Sequence, residues 1–133
     1  MFEGINLAGS GMQVHKTWLD AISDNVANVN TVRRTSEQAF QTRYVLAQAV
    51  ENGGTGGGVK VGGIELSSGQ GKLVYSPDHP LADADGMVRM PDVELDEQLT
   101  TMIMAQRGYQ ANAAQLDRVR ESYQSAISMG RLS

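Results

Sequence analysis

At 133 residues, with no cysteine, fifteen glycines and only two Phe, four Tyr and one Trp, the chain suits a single domain with a sparse core and excludes disulfides and thiolate metal sites. Its formal net charge of −4, with eleven basic residues dispersed along the chain, excludes a nucleic-acid surface, which needs clustered Lys and Arg to displace counterions. No run of about 18 apolar residues occurs, so no direct membrane insertion is expected. The first basic residue is Lys16, so the start also lacks the charged and apolar regions of a cleavable secretory signal.

Residues 4 to 29 read as a first helix. Ile5, Ala8, Met12, His15, Leu19, Ile22, Val26 and Val29 follow the alternating three- and four-residue spacing of a coiled-coil seam, interrupted only by His15. Gly9-Ser10-Gly11 softens the helix near its start, since glycine costs roughly 1 kcal/mol relative to alanine in a helix interior. The helix is expected to stop at Asn30-Thr31, where Asn tolerates a left-handed terminal conformation.

Residues 31 to 92 read as an irregular middle with short strands over 43–50, 59–66 and 72–75 and a further one near Met87 to Met90. The segment Gly53 to Gly58 is expected to be a flexible tip loop on a hairpin. Pro77 and Pro80 hold the stretch Tyr75 to Pro80 extended, because each proline biases the residue before it away from helix. Asp92 then reads as the N-cap of a last helix, with Glu94, Asp96 and Glu97 where the helix dipole favours negative charge. Along it Leu95, Leu99, Met102, Gln106, Tyr109, Ala113, Leu116, Arg120, Tyr123 and Ile127 repeat the same alternation. Running to about Ser128 or Met129 and stopping at Gly130, this helix would be roughly 55 Å long.

The chemical motifs fail on inspection. Gly53 to Lys60 lacks the Ser or Thr that follows the lysine of a phosphate loop. Asp83, Asp85, Gly86 and Asp92 match part of a calcium loop, but position one is Leu81 and two prolines forbid the entering helix. His15 lies on a helix seam and His79 in an extended turn; neither has a marked nucleophile or metal-ligand spacing, so both read as structural. The methionines read as adaptable packing groups. Asn25 and Asn28 are the polar residues that stand out, being three apart on one helix face where an uncharged amide can bridge chains without desolvating a charge.

The segment Asp24-Asn25-Val26-Ala27-Asn28-Val29-Asn30-Thr31, with Ser10-Gly11-Met12 and Leu19-Asp20 before it, resembles the N-terminal signature of the bacterial flagellar rod and hook proteins. Tyr75 to Pro80, Ala82 to Gly86 and Met90 to Val93 resemble the proximal rod members in particular, and Arg107-Gly108-Tyr109-Gln110-Ala111-Asn112 matches the C-terminal helix pattern of the family. Asp24 stands where these proteins often have Asn, and His15 and Gly108 are less usual. The resemblance implies a structural, non-enzymatic subunit without cofactor or metal, located in the basal body. Its partners would be other flagellar rod proteins and copies of itself in a helical polymer, reached through the flagellar type III export apparatus.

The expected fold is therefore mainly α. N- and C-terminal helices (segments 1–31 and 92–133) pair as a coiled coil around a small irregular middle (32–91) that contains a β-hairpin. The expected subunit-interface residues are Leu19, Ile22, Asn25, Val26, Asn28 and Asn30 on the first helix. On the last helix they are Leu99, Met102, Tyr109, Asn112, Leu116 and Tyr123. A soluble helical adaptor or flagellar export chaperone is the alternative reading, since it too would use amphipathic helices.

Overall fold

A computed structural model describes residues 2 to 131, with the backbone alone at Asn52 and Thr55; residues 1, 132 and 133, at the outer limits of the two expected end segments, lie outside the described residues. The elements in chain order are α1 (Phe2–Ala27), β1 (Arg43–Asn52), β2 (Thr55–Leu66), β3 (Lys72–Tyr75), β4 (Met87–Met90) and α2 (Leu95–Arg131). Both helices and all four strands stand where the hydropathy pattern puts them, with shifted ends.

The end of α1 is closed by side chains. There the Asn28 side-chain amide donates to the Asp24 carbonyl at 2.9 Å, and the Thr31 hydroxyl donates to Asn28 Oδ1 at 3.0 Å. The expected left-handed stop at Asn30 is not used: among the described residues no non-glycine residue has positive φ. At the other helix the Gln98 amide donates to the Glu94 carbonyl at 3.0 Å, so Glu94, not Asp92, occupies the N-cap position. Asp92 is drawn away from that role. Its carboxylate lies 3.5 Å from Lys72 Nζ, and its carbonyl accepts from the Thr42 hydroxyl.

β1 and β2 pair as an antiparallel hairpin with register shifts at Leu46/Ala47 and Ala49/Glu51. Only Gly53 and Gly54 form its turn, with φ of 58° and 92°, the two positive values that a tight primed turn requires. Gly56 to Gly58, expected in a flexible loop, belong to β2. Gly58 packs over Ser10 of α1, whose hydroxyl accepts from the Val59 amide at 3.2 Å. The hairpin is thus laid back onto the first helix at Ser10, between the two glycines expected to soften it.

β3 and β4 form a second antiparallel pair, and Arg33 adds to the free side of β4 through mutual backbone bonds with Arg89 of 2.8 and 2.9 Å. The Arg89 guanidinium bonds the Thr35 and Gln70 carbonyls and so ties the connecting segments to this sheet.

The buried apolar residues are Ala8, Val14, Ala21, Ile22, Ala39, Val88, Val93 and Ala105. Half of these are alanine, the smallest contributor to burial energy. The accessible surface is 8962 Å², against about 6,800 Å² for a compact monomer of 14.3 kDa. The excess comes from a helix pair that has one covered side.

Candidate assembly interface

α1 and α2 run antiparallel in constant register. Gly4 faces Val119, Gly11 faces Asn112, His15 faces Gly108 and Asn25 bonds Gln98; each step forward on α1 is met by an equal step back on α2. The inward positions of α1 are Gly4, Ala8, Gly11, His15, Trp18, Ile22 and Asn25, which keep the alternating three- and four-residue spacing. On α2 they are Gln98, Met102, Ala105, Tyr109, Asn112, Leu116 and Val119, all buried or half-buried. The expected period is present, but at alternate positions the inward residue is one place N-terminal to the expected one. Ala8, His15, Ile22, Met102, Tyr109 and Leu116 are common to both; Leu19, Val26 and Leu99 fall to the flank.

The cause of the offset is size. A helix pair approaches closely where glycine and alanine face inward, and six of the eight shifted inward positions, Gly4, Gly11, Asn25, Gln98, Ala105 and Asn112, are small or polar, whereas Leu19, Val26 and Leu99 beside them are turned to the flank. Leu95, Leu99 and Ile103, four residues apart on the outer side of α2, are 40%, 45% and 53% exposed. Beyond Val119 the helix outruns α1, and every residue from Glu121 to Arg131 is exposed, Tyr123 and Ile127 among them.

At the opposite end of the pair, Asn25 is 1% exposed and its amide is used three times within the chain. It donates to the Arg43 carbonyl at 3.0 Å and to Gln98 Oε1 at 2.9 Å, and its Oδ1 accepts from the Arg43 amide at 2.9 Å. One side chain thereby joins α1, the start of β1 and the start of α2. Asp24 contacts the Arg43 guanidinium beside it, an exposed pair of the kind that contributes little. Asn28 caps α1, as described; Asn30 is exposed.

The side chains that mimicked catalytic or metal motifs have other tasks. Asp83 accepts from the Asp85 and Met87 amides, each at 2.9 Å, and from the Thr35 hydroxyl at 3.0 Å. The bond from Met87 above all holds its carboxyl below the usual carboxylate range. These bonds make Asp83 the hub of the turn into β4. His79 Nδ1 accepts from the Leu81 amide at 3.1 Å, which places its ring in the preceding turn. Among the described residues no group of His, Cys, Asp and Glu is placed to hold a metal ion, and no helix is long and apolar enough to cross a membrane.

The contributions of Gln98, Gly11 and Gly108 were missed by the hydropathy pattern, as was Ile103; Leu95 and Leu99 stood in the expected seam, with Leu99 an expected interface residue, and lie outside the helix pair. One signal was available. Gly11 precedes His15 by the same interval that separates Gly108 from Asn112.

An elongated chain with a thin core, a helix pair with glycine and alanine in its seam, and large apolar groups exposed both beside that pair and on the projecting end of α2 belongs to the class of subunits built for lateral packing. Comparison with known proteins specifies the class. Residues 5–33 match the model of the flagella basal body rod protein family, and residues 84–129 match that of the flagellar basal body rod FlgEFG protein C-terminal region. The chain is similar to the flagellar basal-body rod protein FlgC of Salmonella typhimurium (33% identity, 95% of each chain). It is also similar to those of Borreliella burgdorferi (32%, 97% of each) and Bacillus subtilis (25%, 98% of each). The chain belongs to the FlgC family of flagellar basal-body rod proteins, and is a structural subunit of the rod.

Proposed function

We propose that the chain polymerises with other rod proteins and with copies of itself into the hollow axial shaft that transmits torque. In this reading α1 and α2 act as a coiled coil in the inner wall of the shaft, and residues 32–91 form a separate outer segment. The chain reaches its place through the flagellar type III export apparatus. The observation that carries the reading is the row Leu95, Leu99 and Ile103, left outside the helix pair, together with Tyr123 and Ile127, exposed where the inward seam of α2 runs on past the end of α1. A head-to-tail contact between unlike surfaces that does not close on itself produces a filament, and each buried leucine or isoleucine adds about 1.5–3 kcal/mol at every repeat.

The interface is then formed chiefly by Leu99, Tyr123 and the flanking Leu19 and Val26. Met102, Tyr109 and Leu116 contribute their half-exposed edges, and Asn30 its exposed amide. Ile22, Asn25, Asn28 and Asn112 serve assembly by fixing the shape of the subunit. The test is the pair of substitutions Leu99→Ser and Ile103→Ser. The variant should be expressed with normal helix content yet be missing from isolated basal bodies, leaving cells non-motile. Normal swimming with full incorporation would overturn the interface. A stable dimer of the purified chain that never enters basal bodies would favour the adaptor.

A further inference from the structure

Midway along the pair of α1 and α2, each helix supplies one glycine and one polar side chain, and the two sets interlock. A Cβ built on Gly11 would stand 2.5 Å from Asn112 Oδ1, and one built on Gly108 would overlap His15 Nε2. Each polar side chain is also tethered to the glycine of its own helix. His15 Nδ1 is 2.7 Å from the Gly11 carbonyl, to which it donates, and Asn112 Nδ2 donates to the Gly108 carbonyl at 2.8 Å. The imidazole and the amide therefore stand as fixed knobs, each facing a notch that only glycine leaves open.

We propose that this square of Gly11, His15, Gly108 and Asn112 is a pairing code. It admits a helix with glycine opposite His15 and a compact amide opposite Gly11, so α1 takes the α2 of its own chain and refuses rod-protein helices that carry a side chain at the place of Gly108. The inference deepens the rod-subunit reading and rests on it, since selection matters only where several similar helices compete for one partner. Specificity of this kind comes from what the wrong partner is made to suffer. Ala8 and Ala105, the small apolar positions of the same seam, accept any small neighbour and supply none of it. The code fixes register as well. A slip of one heptad sets Thr101 or Gln115 opposite His15, and Ala105 or Val119 opposite Gly11; none of these is a glycine or an amide in the required place.

The chain has no native cysteine, so Gly4→Cys with Val119→Cys, at the contact beyond the square, reports pairing directly. Oxidation of isolated basal bodies should give an intramolecular disulfide in the otherwise native chain. Adding Gly108→Ala should lower that product, or the amount of chain incorporated, at least tenfold, and adding His15→Ala to that variant should restore most of it. A Gly108→Ala chain that incorporates and cross-links like the native one would overturn the code, as would a double variant no better than Gly108→Ala. In cells that co-express a Gly4→Cys chain and a Val119→Cys chain, cross-linked dimer should be absent; dimer in amounts comparable to the intramolecular product would equally overturn it. If the otherwise native chain is missing from basal bodies, the rod reading fails, and the same variants compared as purified full-length chain still decide the code.

Discussion

Asn25 shows what one buried amide does in a chain with little apolar core. Its carboxamide satisfies both backbone groups of Arg43 and the side-chain oxygen of Gln98, so Asn25→Ala leaves them without partners in a closed site. The expected cost is roughly 1–3 kcal/mol of stability, the range for orphaned buried polar groups, read from urea unfolding. Asn25→Asp should be worse, because a buried carboxylate would face two acceptors, the Arg43 carbonyl and Gln98 Oε1, in place of the amide that donates to both. A variant chain as stable as the native one would remove Asn25 from the joint. Asp83 offers a pH test at the same scale. Its folded pKa lies below the ordinary 3.8, so its contribution to stability is present above that value and is lost as pH falls through the lower folded one. Asp83→Asn keeps an acceptor for the two turn amides but does not titrate. The stability difference between the two chains should thus shrink on acidification below about pH 4, and a constant difference would contradict the assignment.

Among the elements, the hairpin and the helix seam respond to single glycines. Gly58 combines a φ of 96° with contact against Ser10, so Gly58→Ala should loosen the hairpin from α1, whereas Gly53→Asn, in open space at the turn, should be tolerated. Rapid proteolysis between residues 50 and 60 in the first variant and not in the second is the expected pattern; equal resistance would remove Gly58 from the joint with α1, and rapid cleavage of the native chain and both variants alike would make the tip the mobile loop that its composition suggests. The period of both helices was legible in the sequence because three- and four-residue alternation survives weak hydrophobicity. Which face turned inward was not, because the distance between helices is set by Gly11 and Gly108, and glycine has no weight in a hydropathy pattern. The joint at Asn25 was equally hidden, since Arg43 and Gln98 are remote in sequence, and only its polar character marked it. The turn at Asp83 was readable as an acidic loop, but its purpose depended on Thr35, far upstream.

The whole molecule exposes about a third more surface than a compact chain of its mass would, and the excess follows from a helix pair covered on one side and from the length of α2 that projects past it. Order along α2 should therefore be graded in the isolated chain. It should be strongest near the bond between Asn25 and Gln98 and weakest past Val119, where no second helix runs alongside and a single helix of this length is marginal in water. In the rod, neighbours should supply the missing contacts, so that the cost of ordering, about 1–2 kcal/mol per residue, is met on assembly. Hydrogen exchange across α2, compared between dilute monomer and isolated rods, tests this most directly. Amides from Glu121 to Arg131 should exchange rapidly in the monomer and become strongly protected in the rod; equal exchange in the two states would contradict a role for this projecting helix in holding subunits together.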